Sequence, residues 1–234
     1  MKTAICDSRM PRSALSELEN YCDRILLLPP FSALPEPVSA HPDMLIFPCV
    51  KEKIIFTHGE YASVSENLFK ETGYGIITIS ERAGEKYPSD ILLNAARIGN
   101  VLLGKLSHIS SSVISYAEKE RLTLVNTKQG YARCSVCSVS ESAIITSDRS
   151  IARAVRAVGI DVLEVSQGGV DLSGYGCGFI GGASGTDSEN VFFCGNAEAH
   201  PDGVMIKDFC LKHGKRAISL SSDRLYDVGT IFFI

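Results

Sequence analysis

Short apolar runs rich in β-branched or aromatic residues recur along the chain, and each ends at polar residues, which is typical of strands. The first run of each unit lies at 4–7, 54–57, 101–104, 143–146 and 191–194. A helical segment follows each run, as at 65–72, 111–121 and 150–158. A second run comes next, at 26–28, 76–79, 122–125, 162–165 and 217–220. This pattern predicts five strand–helix–strand units.

The segment 150–158 shows why a helix is expected. Ser147 or Asp148 can cap its first turn by accepting a backbone N–H bond. Apolar residues then recur at helical spacing, and Gly159 stands where a helix ends in the left-handed conformation. Gly73 and Gly214 are expected to end two other helices in the same way.

Each unit is completed by a loop and a further inner strand, predicted at 44–47, 91–93, 136–140, 178–181 and 230–234. A ring side chain precedes each of these strands, at intervals of 44 to 51 residues: His41, Tyr87, Tyr131, Tyr175 and Tyr226. A repeat with this period indicates an array of similar units.

The first and last runs of the chain lack the hairpin that joins the corresponding strands elsewhere. We therefore predict that the N- and C-terminal strands pair, which would remove two exposed apolar edges. The expected fold is an α/β, five-fold pseudosymmetric β/α-propeller that forms one domain over residues 1–234. An open doubly wound sheet is the alternative.

Composition and charge argue against several classes of function and location. Hydrophobic residues make up 45% of the chain, charged residues 21%, and the net charge is −4. No basic footprint for nucleic acid is visible, and no run approaches the roughly 20 apolar residues of a membrane helix. The start of the chain lacks a signal peptide, so we expect a cytoplasmic protein with its eight cysteines as thiols. We expect no cofactor and no bound metal.

The predicted architecture resembles the pentein fold, the β/α-propeller of amidinotransferases, arginine and agmatine deiminases and dimethylarginine hydrolases. The runs at 131–137, 178–185 and 200–203 are similar to those of an uncharacterised bacterial family of that fold. In the guanidine-modifying members a His-x-Asp pair supplies a general base and a carboxylate for the guanidinium, and His41-Pro42-Asp43 matches that pair. The resemblance also implies a nucleophilic cysteine on the last inner strand, where this chain has none. The fold includes a non-enzymatic ribosome anti-association factor as well.

Equivalent positions of the units are expected to converge around a central channel. Two residues past the ring side chains stand Asp43, Ser89, Arg133, Cys177 and Val228, and one residue further stand Met44, Asp90, Cys134, Gly178 and Gly229. Converging polar groups indicate a binding site. The candidate catalytic residues are His41, Cys134 and Cys177, and the candidate ligand-binding residues are Asp43, Asp90, Tyr131 and Arg133. The alternative is that Asp43, Asp90 and Arg133 neutralise one another.

Other motifs are given structural interpretations. Cys134-x-x-Cys137 lies on a predicted strand, where the two side chains would point to opposite faces, so it does not favour zinc or redox chemistry. The glycine-rich run 181–185 lacks the ending of a P-loop. His58, His108 and His213 are expected at the surface.

The sequence therefore favours a non-catalytic protein that binds a small polar ligand or a protein partner at the channel mouth. The alternative is a cysteine-dependent hydrolase or transferase acting on a guanidino or amide compound. The two differ in whether Cys134 or Cys177 is an activated thiolate.

Overall fold

Three-stranded sheets recur along the chain, each combining one antiparallel and one parallel strand pair, in a computed structural model that describes residues 2–234. The first sheet has the order β17-β1-β2. Its elements are β1 (Thr3–Asp7), α1 (Arg12–Leu18), β2 (Arg24–Leu28) and β17 (Phe232–Phe233). Strands β1 and β2 are parallel, and helix α1 connects them.

The second and third sheets have the orders β3-β4-β5 and β6-β7-β8. The second sheet and its helices comprise α2 (Pro42–Leu45), β3 (Ile46–Cys49), β4 (Ile54–His58), α3 (Ala62–Phe69) and β5 (Gly75–Ile79). The third comprises β6 (Ala96–Ile98), β7 (Val101–Gly104), α4 (Ser111–Lys119) and β8 (Thr123–Asn126). In both sheets the first pair is antiparallel and the second is parallel.

The fourth and fifth sheets repeat this order. The fourth and its helices comprise α5 (Ala132–Ser135), β9 (Cys137–Ser140), β10 (Ala143–Thr146), α6 (Arg149–Arg156) and β11 (Asp161–Glu164). The fifth comprises β13 (Ser184–Thr186), β14 (Asn190–Phe193), α7 (Gly203–Lys212) and β15 (Arg216–Ser219). A further parallel pair joins β12 (Val170–Asp171) and β16 (Leu225–Tyr226).

The predicted pairing of the first and last strands is present. Strand β1 runs antiparallel to β17, with Ala4 opposite Phe233 and Ile5 opposite Phe232. Two further hydrogen bonds of 2.9 Å join the backbones of Thr3 and Ile234.

Helix α6 shows why the helical predictions are confirmed. The Asp148 carboxylate accepts bonds from the backbone N–H groups of Ser150 and Ile151, so Asp148, not Ser147, is the cap. Gly159 follows the helix at φ +85°, where a residue with a Cβ would be strained. The buried face of the helix packs against the sheets in one of five apolar clusters.

The strands predicted as inner ones correspond to edge strands of the sheets, and they were predicted less well than the other strands. The prediction for 136–140 is confirmed by β9, but residues 91–93 and 178–181 lie in turns ahead of β6 and β13. Met44 lies in the helical turn α2 and not in a strand. The turns after the ring side chains differ in length, so positions counted from those side chains are not structurally equivalent.

One histidine prediction is wrong. His58 is completely buried, and its Nε2 lies 2.9 Å from the backbone oxygen of Met44. Its ring packs beside Phe31, with centroids 5.6 Å apart. His58 therefore belongs to the interior and not to the surface.

Candidate functional site

Polar side chains, all of them buried except that of Arg9, lie around His41. We call them the His41 cluster: Asp7, Arg9, His41, Asp43 and Asp227. The imidazole of His41 lies between two carboxylates. Its Nε2 is 3.8 Å from Asp7 Oδ2, and its Nδ1 is 3.8 Å from Asp227 Oδ1. His41 is placed by the turn that begins α2, where its backbone N–H donates to the oxygen of Val38.

The segment that follows Asp227 passes unusually close to this imidazole. Gly229 has φ +68°, and a Cβ at that position would lie 2.1 Å from the Cβ of His41. The backbone oxygen of Gly229 accepts a 2.9 Å bond from the N–H of Asp43. A glycine is therefore required for the last part of the chain to meet the His41-Pro42-Asp43 turn.

Asp227 is held rigidly although it is buried. Its carboxylate accepts bonds from the backbone N–H groups of Phe179 and Gly229, at 2.8 and 3.0 Å. A Cβ on Gly182 would lie 2.0 Å from Asp227 Oδ1, so this glycine also makes room for the site. Burial, reinforced by the charge of Asp43, raises the pKa of Asp227 to about 7.

Asp7 stands at the carboxyl end of β1 and is paired with an arginine. Arg9 donates to it from Nε and Nη2, at 3.2 and 3.0 Å. A cavity of about 200 Å³ opens beside this pair and reaches His41 and Asp227. Its lining consists of Asp7, Arg9, Glu36, Pro37, His41, Ser173, Tyr226, Asp227 and Val228. We call it the Asp7 cavity.

Asp227 and His41 should contribute to the pH dependence of stability in opposite directions. Burial, together with the charge of Arg9, lowers the pKa of His41 to about 3. Because the pKa of Asp227 is raised, the folded protein binds one more proton than the unfolded chain between about pH 4 and 7. The free energy of unfolding that this proton contributes is present in full below about pH 4 and is lost as pH rises to 7. Because the pKa of His41 is lowered, protons bind preferentially to the unfolded chain. The contribution of His41 to the free energy of unfolding is therefore lost as pH falls below about 6.5.

Replacing Asp227 by Asn should therefore change the slope of stability against pH. We expect Asp227→Asn to become more stable relative to the wild type by roughly 2–4 kcal/mol between pH 4 and 8, because the destabilising ionisation is removed. Urea unfolding at several pH values measures this. Asp208→Asn, at an exposed position of α7, is the matched control. A constant offset for Asp227→Asn at every pH would contradict the prediction.

Asp43 and Cys134 are joined by a buried asparagine that lies behind His41. Asn94 Nδ2 donates to the backbone oxygen of Asp43 and to the sulfur of Cys134, at 3.2 and 3.1 Å. Its Oδ1 accepts the backbone N–H of Arg133 at 2.8 Å. A single side chain thus connects the α2 turn to the α5 turn.

The Asp43 carboxylate is only partly satisfied. Its Oδ2 lies 2.9 Å from Thr230 Oγ1, and Oδ1 has no hydrogen-bond partner among residues 2–234. Burial raises the pKa of Asp43, although Thr230, Cys134 and the charge of Arg133 oppose this. Thr230 itself has φ +71°, a conformation that β-branched residues rarely adopt.

The two candidate nucleophiles occupy very different places. Cys134 is only 4% exposed, and burial, with the charges of Asp43 and Asp227, raises its thiol pKa well above the usual value. Cys177 is exposed in the loop after β12 and makes no side-chain hydrogen bond within residues 2–234. It does not line the Asp7 cavity. Neither thiol therefore has the cationic, accessible surroundings that produce a reactive thiolate.

The other candidates form two groups near the α5 turn. Tyr131 donates a 2.6 Å bond to Asp90, and its ring stacks on Phe179 with centroids 6.2 Å apart. Arg133 is half-buried, donates to the backbone oxygen of Val136 and lies over the ring of Phe232. The structure thus brings His41, Asp43, Cys134 and Arg133 together, pairs Asp90 with Tyr131 beside them, and leaves Cys177 apart.

Several residues of the site were not found from the sequence. Asp227 follows Tyr226 by one position, whereas we counted two and three positions from the ring side chains. Asp7 had a usable signal, because ligand sites often lie at the carboxyl ends of parallel strands. Asn94 had none, because its role depends on contacts between distant turns.

The geometry can now be compared with known proteins. Residues 5–232 match a family described as a family of unknown function (DUF6873). This chain belongs to that family. No curated protein matches this DUF6873 chain.

Solved structures show the fold of this DUF6873 protein. A mutant of DDAH from Pseudomonas aeruginosa complexed with citrulline has a TM-score of 0.60 at 12% identity, over 94% of this chain and 92% of that one. SxtG, an amidinotransferase from Microseira wollei in the saxitoxin biosynthetic pathway, gives 0.56 at 12% identity, over 94% and 88%. The N-terminal domain of ArgZ, an arginine dihydrolase from cyanobacteria bound to product, gives 0.54 at 11% identity, over 93% and 90%. The DUF6873 chain therefore has the α/β pentein fold, as the resemblance implied.

No helix within residues 2–234 is long and apolar enough to cross a membrane. Within the same residues, no three His, Cys, Asp or Glu side chains are grouped so that they could hold a metal ion.

Proposed function

We propose that this chain binds a small polar ligand in the Asp7 cavity and carries out no cysteine-dependent amidino-group chemistry. One observation supports this above the others. The cavity is lined by carboxylates, an imidazole and a guanidinium, and no cysteine is among its lining residues. Convergent polar groups of this kind are what a binding site requires, whereas acyl or amidino transfer through sulfur needs a thiolate in contact with the ligand.

The size and charge of the cavity favour a small ligand over a protein partner. Its volume of about 200 Å³ is roughly that of seven water molecules at about 30 Å³ each. It places the Arg9 guanidinium, which is already bonded to Asp7, Glu36 and Pro37, near the imidazole of His41 and the carboxyl group of Asp227. Such a lining suits a compact molecule that carries both donors and acceptors, such as an amino acid.

The proposal includes a ring in which the five sheets surround one axis and the β1–β17 pair completes the first sheet. A second cavity, of about 800 Å³, supports this arrangement. It is lined by residues from the turns of β3–β4, β6–β7, β9–β10 and β13–β14 and from both chain ends. Four turns and the paired chain ends that share one cavity are expected if the sheets surround an axis, and the whole chain then forms one domain.

We place the protein in the cytoplasm, because each of its eight cysteines, all within residues 2–234, is a free thiol. Free thiols fit a reducing compartment.

A variant that blocks the cavity tests the proposed binding. Ser173 is exposed and lines the Asp7 cavity, so Ser173→Phe should fill the entrance without disturbing the buried cluster. We expect amino acids, diamines and hydroxy acids, screened by thermal shift, to include compounds that stabilise the wild type but not Ser173→Phe. Ser222→Phe, at another exposed position, should respond like the wild type. Equal responses of all three proteins would contradict binding in this cavity.

Alkylation distinguishes the enzymatic alternative. With iodoacetamide at pH 7, Cys177 should be labelled first, because it is exposed, and buried Cys134 should react at least about 100-fold more slowly. Fast labelling of Cys134 would favour the cysteine-dependent enzyme. So would citrulline formation from arginine above about 1 per second, which is within the usual range of enzymes.

A further inference from the structure

The guanidinium group of Arg9 is held at the Asp7 cavity in the way a bound ligand would be. Nε and Nη2 donate to the two oxygens of Asp7, at 3.2 and 3.0 Å. Nη1 donates to the backbone oxygen of Glu36 at 2.7 Å, and Nη2 also reaches the oxygen of Pro37 at 3.0 Å. Nη1 also lies 3.5 Å from Glu36 Oε1, so each of the five N–H groups has an acceptor.

The Asp7 carboxylate, which accepts these bonds, is more deeply buried than the Arg9 side chain. The Asp7 side chain is 3% exposed, against 34% for that of Arg9. Asp7 also accepts the backbone N–H of Arg9 at 2.6 Å, which fixes its orientation. Asp7 is thus a preformed site for a planar cation, because a carboxylate buried in a fixed orientation matches the fork of a guanidinium.

The charges around this pair explain why a cation stays there. Glu36 Oε1 is 3.5 Å from Arg9 Nη1, and the carboxyl groups of Asp227 and Asp43 in the His41 cluster add no positive charge. The neighbouring imidazole of His41 is held uncharged, so it supplies no compensating charge. Arg9 is the positive charge in contact with Asp7.

We infer that Arg9 is a built-in cation that fills the Asp7 subsite and so determines which ligands the cavity accepts. External guanidinium-type cations are kept off Asp7 in the wild-type protein. A ligand enters instead on the side of His41, Ser173 and Asp227. The inference goes beyond the proposed function, and its test needs no natural ligand.

Removing the side chain should create a site for a free cation. Arg9→Ala leaves Asp7 unpaired next to a space of guanidinium size, whereas Arg9→Met removes the charge but keeps that space filled. We expect both variants to melt about 5 °C or more below the wild type, since each strands a buried carboxylate. Addition of 50 mM methylguanidinium chloride should raise the melting temperature of Arg9→Ala by about 2–4 °C, which corresponds to a Kd of roughly 10 mM.

Three comparisons make this rescue specific. Arg9→Met, the wild type and Arg82→Ala, whose arginine side chain is 91% exposed, should gain less than about 1 °C from the same salt. Methylammonium chloride at equal concentration should rescue Arg9→Ala less than methylguanidinium does, because it lacks the planar fork. If Arg9→Ala does not fold alone, its refolding yield with and without methylguanidinium is measured instead. Equal responses of Arg9→Ala and Arg9→Met would overturn the inference.

Discussion

Deletion of residues 230–234 should leave no soluble folded protein. The deletion removes β17, which pairs with β1, and Ile231, which is 1% exposed. Burial of one such side chain contributes roughly 1.5–3 kcal/mol. It also removes the backbone bonds from Thr230 to Gly182 and from Ile231 to Ser184, at 2.8 and 2.9 Å. Each of these contributes about 0.5–1.5 kcal/mol.

Together with the loss of the β1–β17 pair, these losses reach the lower part of the typical stability of a domain, about 5–15 kcal/mol. The site would suffer as well, because Thr230 is the hydrogen-bond partner of the Asp43 carboxylate. Solubility after expression and the melting temperature of any soluble fraction are the measurements. Ile234→Ser, at a half-buried position of the same segment, should remain soluble and lose about 1 kcal/mol or less. A truncated protein that melts within about 3 °C of the wild type would show that the β1–β17 pair is dispensable.

Asn94→Ala should cost about 2–4 kcal/mol in the free energy of unfolding, a large value for a residue outside the cavity lining. Asn94 is fully buried, and its amide satisfies the backbone N–H of Arg133 and the backbone oxygen of Asp43. Alanine leaves both of these buried backbone groups without their partner.

Urea unfolding measures this loss, and an exposed asparagine provides its control. Asn67→Ala, in the exposed part of α3, should change stability by less than about 0.5 kcal/mol. Because Asn94 also positions the turns that carry Asp43 and Arg133, the variant should respond less to any ligand of the Asp7 cavity. A loss below 1 kcal/mol would mean that these turns are held mainly by their packing.

The middle strands of the sheets and the helices could be predicted because their signals are local. The strands β4, β7, β10 and β14 each contain a short apolar run, and their residues are buried throughout or nearly so. Capping residues and glycines then marked the helix ends, as with Asp148 and Gly159. These features depend on neighbours in sequence, which the sequence shows directly.

The predicted inner strands carry a weaker signal, and one of them carries none. Strand β13 consists of Ser184, Gly185 and Thr186, which no apolar pattern identifies. It is a strand because it pairs with β14, with Gly185 opposite Phe192. A Cβ on Gly185 would also lie 2.4 Å from the backbone oxygen of Ile231. Its position is thus set by contacts between segments far apart in sequence.

The candidate site was predicted in part for the same reason. His41 and Asp43 were found through a short motif, and they do lie in the same cluster. Asp227 was missed because it reaches His41 only after the chain has passed through four intervening sheets. Its pairing depends on close approach at Gly182 and Gly229, and a sequence shows the glycines but not what they approach.

The hydrogen bonds between Thr3 and Ile234 have a consequence for engineering the chain. The two ends are adjacent strands of one antiparallel ladder, so a two-residue turn is long enough to connect them. A circular permutant could therefore join the present ends and open the chain elsewhere, for example in the turn between Ser140 and Ala143, where Glu141 and Ser142 are exposed. The same adjacency means that tags on either end would lie beside the larger cavity, where Lys2 and Ile234 are lining residues, and would leave the opening at Ser173 free.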